Sequence, residues 1–263
     1  MERLVSVGLI LAVLCTSSQL TWSQTTSSSA MSAAGATDSV VSKARGEEFA
    51  RRLAEAAEAY ATVNDYVCAF VIQERLGGDL GPRRVGALKF KRPFAVYIKW
   101  YEGPDAGTQV LFVRGQNDGK MLARGSGLAS FATLHLDTLS KLAMRGSRHP
   151  ITEAGIGHVI EIIAENYKRG VTEKQVGVRR LPDRPSIQPP GTRYELLFTA
   201  GKDAGYYCKR AVITFDPKTH LPVAIQAYDW KNQLVEDYRY RNLRVNVGLT
   251  STDFDPKNPE YGF

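Results

Sequence analysis

The chain has 263 residues, 34 of them Lys or Arg against 27 Asp or Glu, for a formal net charge of +7. A hydrophobic share of 43% excludes a wholly disordered chain, which could not bury enough apolar surface to offset its ordering entropy. The positive balance favours anionic neighbours such as lipid headgroups or polyanionic glycans. The basic residues are scattered, however, with doublets at Arg51–Arg52, Arg83–Arg84 and Arg179–Arg180 and no longer run.

The opening MERLVSVGLILAVLC carries an apolar run from Leu4 to Leu14. That is shorter than the ~20 residues a membrane-spanning helix needs, and it matches the apolar core of a secretory signal. Thr21 and Ser23 supply the small residues before a cut at Gln24, giving a signal peptide over 1–23. Cys15 would suit lipoprotein processing, but Leu14 before it is too bulky for that cut. The reading places the protein in the periplasm or cell envelope and makes nucleic acid the least expected partner. Residues 24–42 are small, polar and aperiodic and read as a flexible leader, leaving 43–263 as a single domain. With no second apolar segment, the mature protein is expected to be soluble, not membrane-spanning.

Glu47 to Val63 reads as an amphipathic helix, with Phe49, Leu53, Ala56, Tyr60 and Val63 at spacings of three and four. From Tyr66 the period falls to two. YVCAFVIQERL, VGALKFK, AVYIKWY, TQVLFVRG and KMLARG follow one another, separated by turn-rich GGDLGPRR, EGPDAG and QNDG. Turns about every ten residues predict an antiparallel meander without crossover helices, hence an α+β domain.

Leu128 to Met144 carries short apolar groups that fit one or two short helices, and Ile156, Val159, Ile160, Ile163 and Tyr167 form a helical stripe. Between them lies RGSRHPITEAG. Pro150 keeps His149 extended, so no helix runs through it. Thr152 is then the expected N-cap, with Glu153 in the first turn where an acid is favoured. Arg145, Arg148 and His149 are left unexplained. They either pair with acids elsewhere or form a cavity rim where arginine holds a phosphate or carboxylate.

LPDRPSIQPPG, Leu181 to Gly191, is expected as a surface loop, and the last seventy or so residues return to strand. In LVEDYRYRNLRV, Leu234, Glu236, Tyr238 and Tyr240 share one face, while Val235, Leu243 and Val245 share the other. Neither face is cleanly polar, as expected where one of them lines a cavity.

The familiar catalytic signatures are absent. There is no G-x-S-x-G elbow and no H-E-x-x-H, and His135, His149, His158 and His220 do not fall at zinc-ligand spacings. No cofactor and no metal is expected. Cys68 and Cys208 remain after processing; an oxidising compartment permits a disulfide, and two separate buried thiols fit equally well.

LAMRGSRHPITEAGI, the C-terminal run LPVAIQAYDW with LVEDYRYRNLRVNVGLTSTDFDPKNPEYGF, and GALKFKRPFAVYIKWYEGPDAG upstream together resemble the bacterial exported family of unknown function 1571 (DUF1571). The likeness covers Tyr60 to Phe263 and brings no activity with it. A weaker similarity is to LolA-type lipoprotein carriers, on Gly86, Leu88, Phe90 and Pro93 early and Y-x-Y-x-N-L late. It implies an incompletely closed antiparallel β-barrel with helices, drawn from Leu128 to Tyr167, packed on the concave face. It also implies a non-enzymatic binder of lipid, acyl chains or lipoproteins. Aromatic Phe94, Tyr97, Trp100, Tyr228, Trp230, Tyr238 and Tyr240 would then line the cavity, with Arg145, Arg148 and His149 at its rim. The alternatives are a structural envelope protein meeting polyanions through its basic surface, and an envelope enzyme using Arg145, Arg148, His149 and Glu153. The insertion of RGSRHPITEAG and the Pro-rich 181–191 loop depart from the carrier pattern.

Overall fold

The computed structural model describes residues 28–127, 131–184 and 186–263, with side chains from residue 43 onward. The expected signal peptide and its cut before Gln24 lie outside the described residues. The chain divides into a short N-terminal unit, Met1–Ser39, and a larger unit, Val40–Phe263.

Helix α1 covers Ser28–Ala61 and so begins inside the segment expected to be a flexible leader. Ala30, Met31, Ala33 and Ala34 are strong helix formers, which extends the helix back beyond its amphipathic part. Within the larger unit, Phe49, Leu53 and Ala56 are buried, one turn apart, as the spacing predicts. The Phe49 ring meets Tyr167, Tyr194 and Phe215 edge-on at centroid distances of 4.9, 5.4 and 6.1 Å.

Among the described residues twelve strands follow. In chain order they are β1 Asp65–Leu76, β2 Asp79–Leu80, β3 Arg84–Lys91, β4 Ala95–Glu102, β5 Gln109–Val113 and β6 Met121–Arg124. Then come β7 Thr133–Leu136, β8 Val176–Leu181, β9 Thr192–Phe198, β10 Arg210–Phe215, β11 Pro222–Tyr228 and β12 Leu234–Val245. The sheet order is β7-β6-β5-β4-β3-β1-β12-β11-β10-β9-β8, with β2 pairing only β1. Every pairing is antiparallel, and the chain's two meanders are joined by β1 against β12. Strands β7 and β8 are the unpaired edges, so the barrel is incompletely closed. The meander and the loop between β8 and β9 stand where the alternation and the Pro-rich stretch put them.

The segment before helix α2, Ile156–Thr172, differs from expectation. Instead of helix, Thr133–Leu136 forms strand β7, paired with β6 from Met121↔Leu136 to Arg124↔Thr133. An edge backbone offering ladder hydrogen bonds outweighs the weak helical pattern of so short a run. Asp137 then closes a turn, its side chain accepting from the Leu139 N–H at 2.8 Å. The start of α2 is also shifted. Ile151–Glu153 is a separate 3-10 turn, and Thr152 makes no capping bond. The helix begins after Gly155, whose φ of 118° is open to glycine, and the N–H of Ile156 donates to the Tyr66 hydroxyl at 3.2 Å. Tertiary contact rather than a side-chain cap fixes this corner.

Helix α2 lies on the concave face and buries Ile156, Ile160, Ile163 and Tyr167, the predicted stripe. Gly170 lets it approach β8: a Cβ there would stand 2.7 Å from the Val176 side chain. On the opposite face the C-terminal tail crosses β4, where Tyr261 stacks on Tyr97 at 3.9 Å beside buried Phe254. Among the described residues no helix is long and apolar enough to cross a membrane.

Candidate functional site

Alternation along the central strands sends every second side chain to the concave face. From β1 these are Phe70, Ile72 and Glu74, from β4 Ile98 and Trp100, and from β12 Glu236, Tyr238 and Tyr240. With α2 above them they enclose a cavity of about 590 Å³. Most of its wall is apolar, supplied by groups such as Met121, Leu136, Ile163, Leu196 and Ile225. One wall is charged.

That wall is built on two acids. Glu74 and Glu236 are directly opposite one another on β1 and β12, and are 4% and 3% exposed. Neighbouring like charges in a low-dielectric setting repel strongly unless neutralised. Arg84, itself buried, donates to Glu74 at 3.0 Å and to Asp105 at 3.2 Å. The Tyr238 hydroxyl and the Arg148 N–H also donate to Glu74. Glu236 accepts from the Arg148 guanidinium, from the Tyr207 hydroxyl and from His149 Nε2 at 3.1 Å.

The titration of these groups follows from that network. Burial works to raise the Glu236 carboxyl, but the bonds from His149, Tyr207 and Arg148 outweigh it and hold the group below its ordinary value. Burial opposes charge on His149; the partners Glu236 and Glu153 prevail and raise it from 6.5 to about 9. Tyr207 and Tyr238 are pushed up, first by burial and then by the adjacent carboxylates.

RGSRHPITEAG supplies the lip of this wall. Arg145 and His149 line the cavity. Arg145 is exposed and its guanidinium has no partner among the described residues. Arg148 does not line it: its side chain is turned onto Glu236, and it also donates to the Arg75 carbonyl at 3.3 Å. So the trio splits, two residues facing the cavity and one neutralising the acid behind it.

Of the seven aromatics expected on the cavity wall, Trp100, Tyr238 and Tyr240 are there. The other four are elsewhere. Tyr97 points to the opposite face of β4, against Tyr261. Phe94 packs between Phe90 and Phe112 under the Arg114 guanidinium. Tyr228 lies beneath Arg210 at 3.5 Å, and Trp230 donates from its indole to the Ala200 carbonyl at 3.0 Å. Cys68 and Cys208 are free, buried thiols. Strands β12 and β11 separate β1 from β10, which Cys208 precedes; that is ~14 Å along the sheet at ~4.8 Å per strand, well beyond the ~7 Å a disulfide spans.

A further arrangement escaped the sequence spacing. His149, Glu153 and His158 come together at the corner before α2, with one donor atom from each within 4.8 Å of the others. His149 Nδ1 is 2.8 Å from Glu153 Oε2, and His158 Nε2 is 3.5 Å from the same oxygen. All three line the cavity. The spacing H-x-x-x-E-x-x-x-x-H matches no simple helix face. It works because the 3-10 turn and the Gly155 corner fold the two histidines to either side of the acid.

Comparison with curated proteins finds no match. Among solved structures the chain is similar to the Mycobacterium tuberculosis lipoprotein LppX, at 10% identity over 78% of this chain and 97% of that one, with a TM-score of 0.45. It is similar to a putative outer membrane lipoprotein-sorting protein domain from Vibrio parahaemolyticus, at 14% identity over 77% and 95%, with a TM-score of 0.33. A LolA superfamily protein from Nitrosomonas europaea matches at 11% identity over 78% and 96%, also with a TM-score of 0.33. The model of the family described as "Protein of unknown function (DUF1571)" matches residues 63–263, nearly the whole of the larger unit, and the chain belongs to that family.

Proposed function

We propose that this protein is an exported, non-enzymatic carrier or binder of lipid or acylated cargo in the cell envelope. The observation that carries the reading is the cavity of about 590 Å³, walled mostly by apolar side chains and charged along one side. Its volume lies in the ~300–1,000 Å³ range of sites that take a small ligand largely out of water. An acyl chain inside would gain ~0.8 kcal/mol for each CH₂ removed from water, while its polar head stays at the lip. Arg145, exposed at the lip and without a partner among the described residues, is the group that would meet an anionic head. The neutralising partners of Glu74 and Glu236 support a binding rather than a catalytic role, because they occupy both acids: Glu236 is held charged and not poised to donate a proton.

The experiment is native mass spectrometry of protein purified from its own envelope, beside titration with a fluorescent fatty acid. Adducts of lipid mass and saturable probe binding are expected. In Ala123→Phe, which places a ring in the cavity from β6, the probe should bind at least tenfold more weakly with the melting temperature little changed. A clean protein mass together with no saturable probe binding overturns the reading.

A further inference from the structure

We propose that His149, Glu153 and His158 form a mononuclear site for a divalent transition ion of the zinc class. Two imidazoles and one carboxylate are a donor set suited to zinc rather than to magnesium or calcium, which prefer oxygen alone. Ligand atoms held ~2.0–2.1 Å from a tetrahedral ion stand ~3.3 Å from one another. The two separations from Glu153 Oε2, 2.8 and 3.5 Å, bracket that value, and all three donors lie within 4.8 Å of one another, so side-chain rotations would bring them around one ion.

The support behind His149 is the second observation. Its Nε2 is engaged by the buried carboxylate of Glu236, at 3.1 Å, and by the Tyr207 hydroxyl at 2.8 Å. That leaves Nδ1 aimed at Glu153, to which it is hydrogen-bonded at 2.8 Å. A carboxylate holding the far nitrogen of a ligating histidine is the usual backing of such sites, since it fixes the tautomer and makes the ring a better donor. Nδ1 faces a Glu153 carboxylate oxygen 2.8 Å away, so an ion would displace the proton the two share in the metal-free protein. His158 is not hydrogen-bonded to Glu153 at 3.5 Å, and its other nitrogen is 3.6 Å from the exposed Glu161.

The protein provides three ligands, one fewer than the four of closed structural zinc sites. All three line the cavity, so the remaining position opens toward it. An ion there would offer an anionic group a contact that neither histidine offers alone. The inference stands apart from the nature of the cargo, and metal binding is measured with no lipid present.

The test uses the mature protein stripped with a chelator and titrated calorimetrically with Zn²⁺ alone. One saturable site per chain is expected. His158→Gln should weaken it by more than the ~10–100-fold that loss of an outer-shell partner costs, and Glu153→Gln should do the same. Both side chains are partly exposed, so both variants should stay folded, with Glu153→Gln melting somewhat below the metal-free wild type because it gives up the charged bond to His149. His220→Gln, whose nearest acid is the surface Glu55, should bind as the wild type does. X-ray absorption of the loaded protein should show mixed nitrogen and oxygen neighbours at ~2.0–2.2 Å. No saturable Zn²⁺ binding, or equal affinity in His158→Gln and the wild type, overturns the site.

Discussion

Glu74 and Glu236 sit directly across from one another in the β1–β12 ladder, both buried and both on the cavity wall. The pairing is tolerated because Arg84 answers one acid and Arg148 and His149 answer the other. Arg84→Met should therefore destabilise the fold by ~3–5 kcal/mol, because it leaves Glu74 buried without its cation. The double variant Glu74→Gln/Arg84→Met should recover most of that loss. Urea unfolding of the two proteins measures the difference, and equal midpoints would show that the cation does not sustain the acid.

Arg145 and Arg148 should behave differently. Arg148→Ala removes a charge-assisted bond to buried Glu236 and should lower stability by ~1.5 kcal/mol, the low end for such bonds because 34% of the side chain is exposed. Arg145→Ala should leave the melting temperature unchanged. If its exposed guanidinium meets an anionic head, it should weaken binding of a lysophosphatidylglycerol probe by ~0.2–1 kcal/mol at low salt and less at high salt. Melts and probe titrations at two ionic strengths separate the two roles.

The corner before α2 gives a contrast between neighbours. Thr152→Ala should stay within ~0.5 kcal/mol of the wild type, since no capping bond is lost. Gly155→Ala should cost ~1–3 kcal/mol: its φ of 118° disfavours any side chain, and the new Cβ would stand 3.0 Å from the Tyr66 hydroxyl. Thermal unfolding of both proteins checks the order.

Thiol chemistry follows from burial. Desolvation raises Cys68 strongly and Cys208 to about 12, so neither is a thiolate near neutral pH. In protein produced without residues 1–23, Ellman's reagent should find no reactive thiol in the folded state and two after denaturation without reductant. A gel shift on reduction would instead demonstrate the bridge.

Acid should loosen the C-terminal tail. Burial works to raise Asp253, but the Thr250 N–H and the Lys89 ammonium, 3.0 Å away, prevail and hold the carboxyl below its ordinary 3.8. The stabilisation from this group is therefore present above pH ~3.8 and is lost as pH falls through the depressed folded value. Amide exchange over 250–263 should speed up in that range, and Asp253→Asn should show the faster exchange already at neutral pH.

Local periodicity determined much of this protein from sequence alone. A period of two placed Glu236, Tyr238 and Tyr240 on one face of β12, and spacings of three and four placed Ile156, Ile160, Ile163 and Tyr167 on one side of α2. Those patterns are legible because side-chain direction repeats within each element whatever lies beyond it. Strand β7 was not legible, since its ladder partner β6 rather than its own composition makes it a strand. The Thr152 cap failed for the same reason: the N–H that begins α2 found the Tyr66 hydroxyl, a group from β1. The site itself belongs to the tertiary structure. Glu74 meets Glu236 only because the first long strand pairs with the last, and His149 meets His158 only because a glycine corner folds them around Glu153. Charges and metal donors act through space, and distance through space is what a linear sequence does not carry.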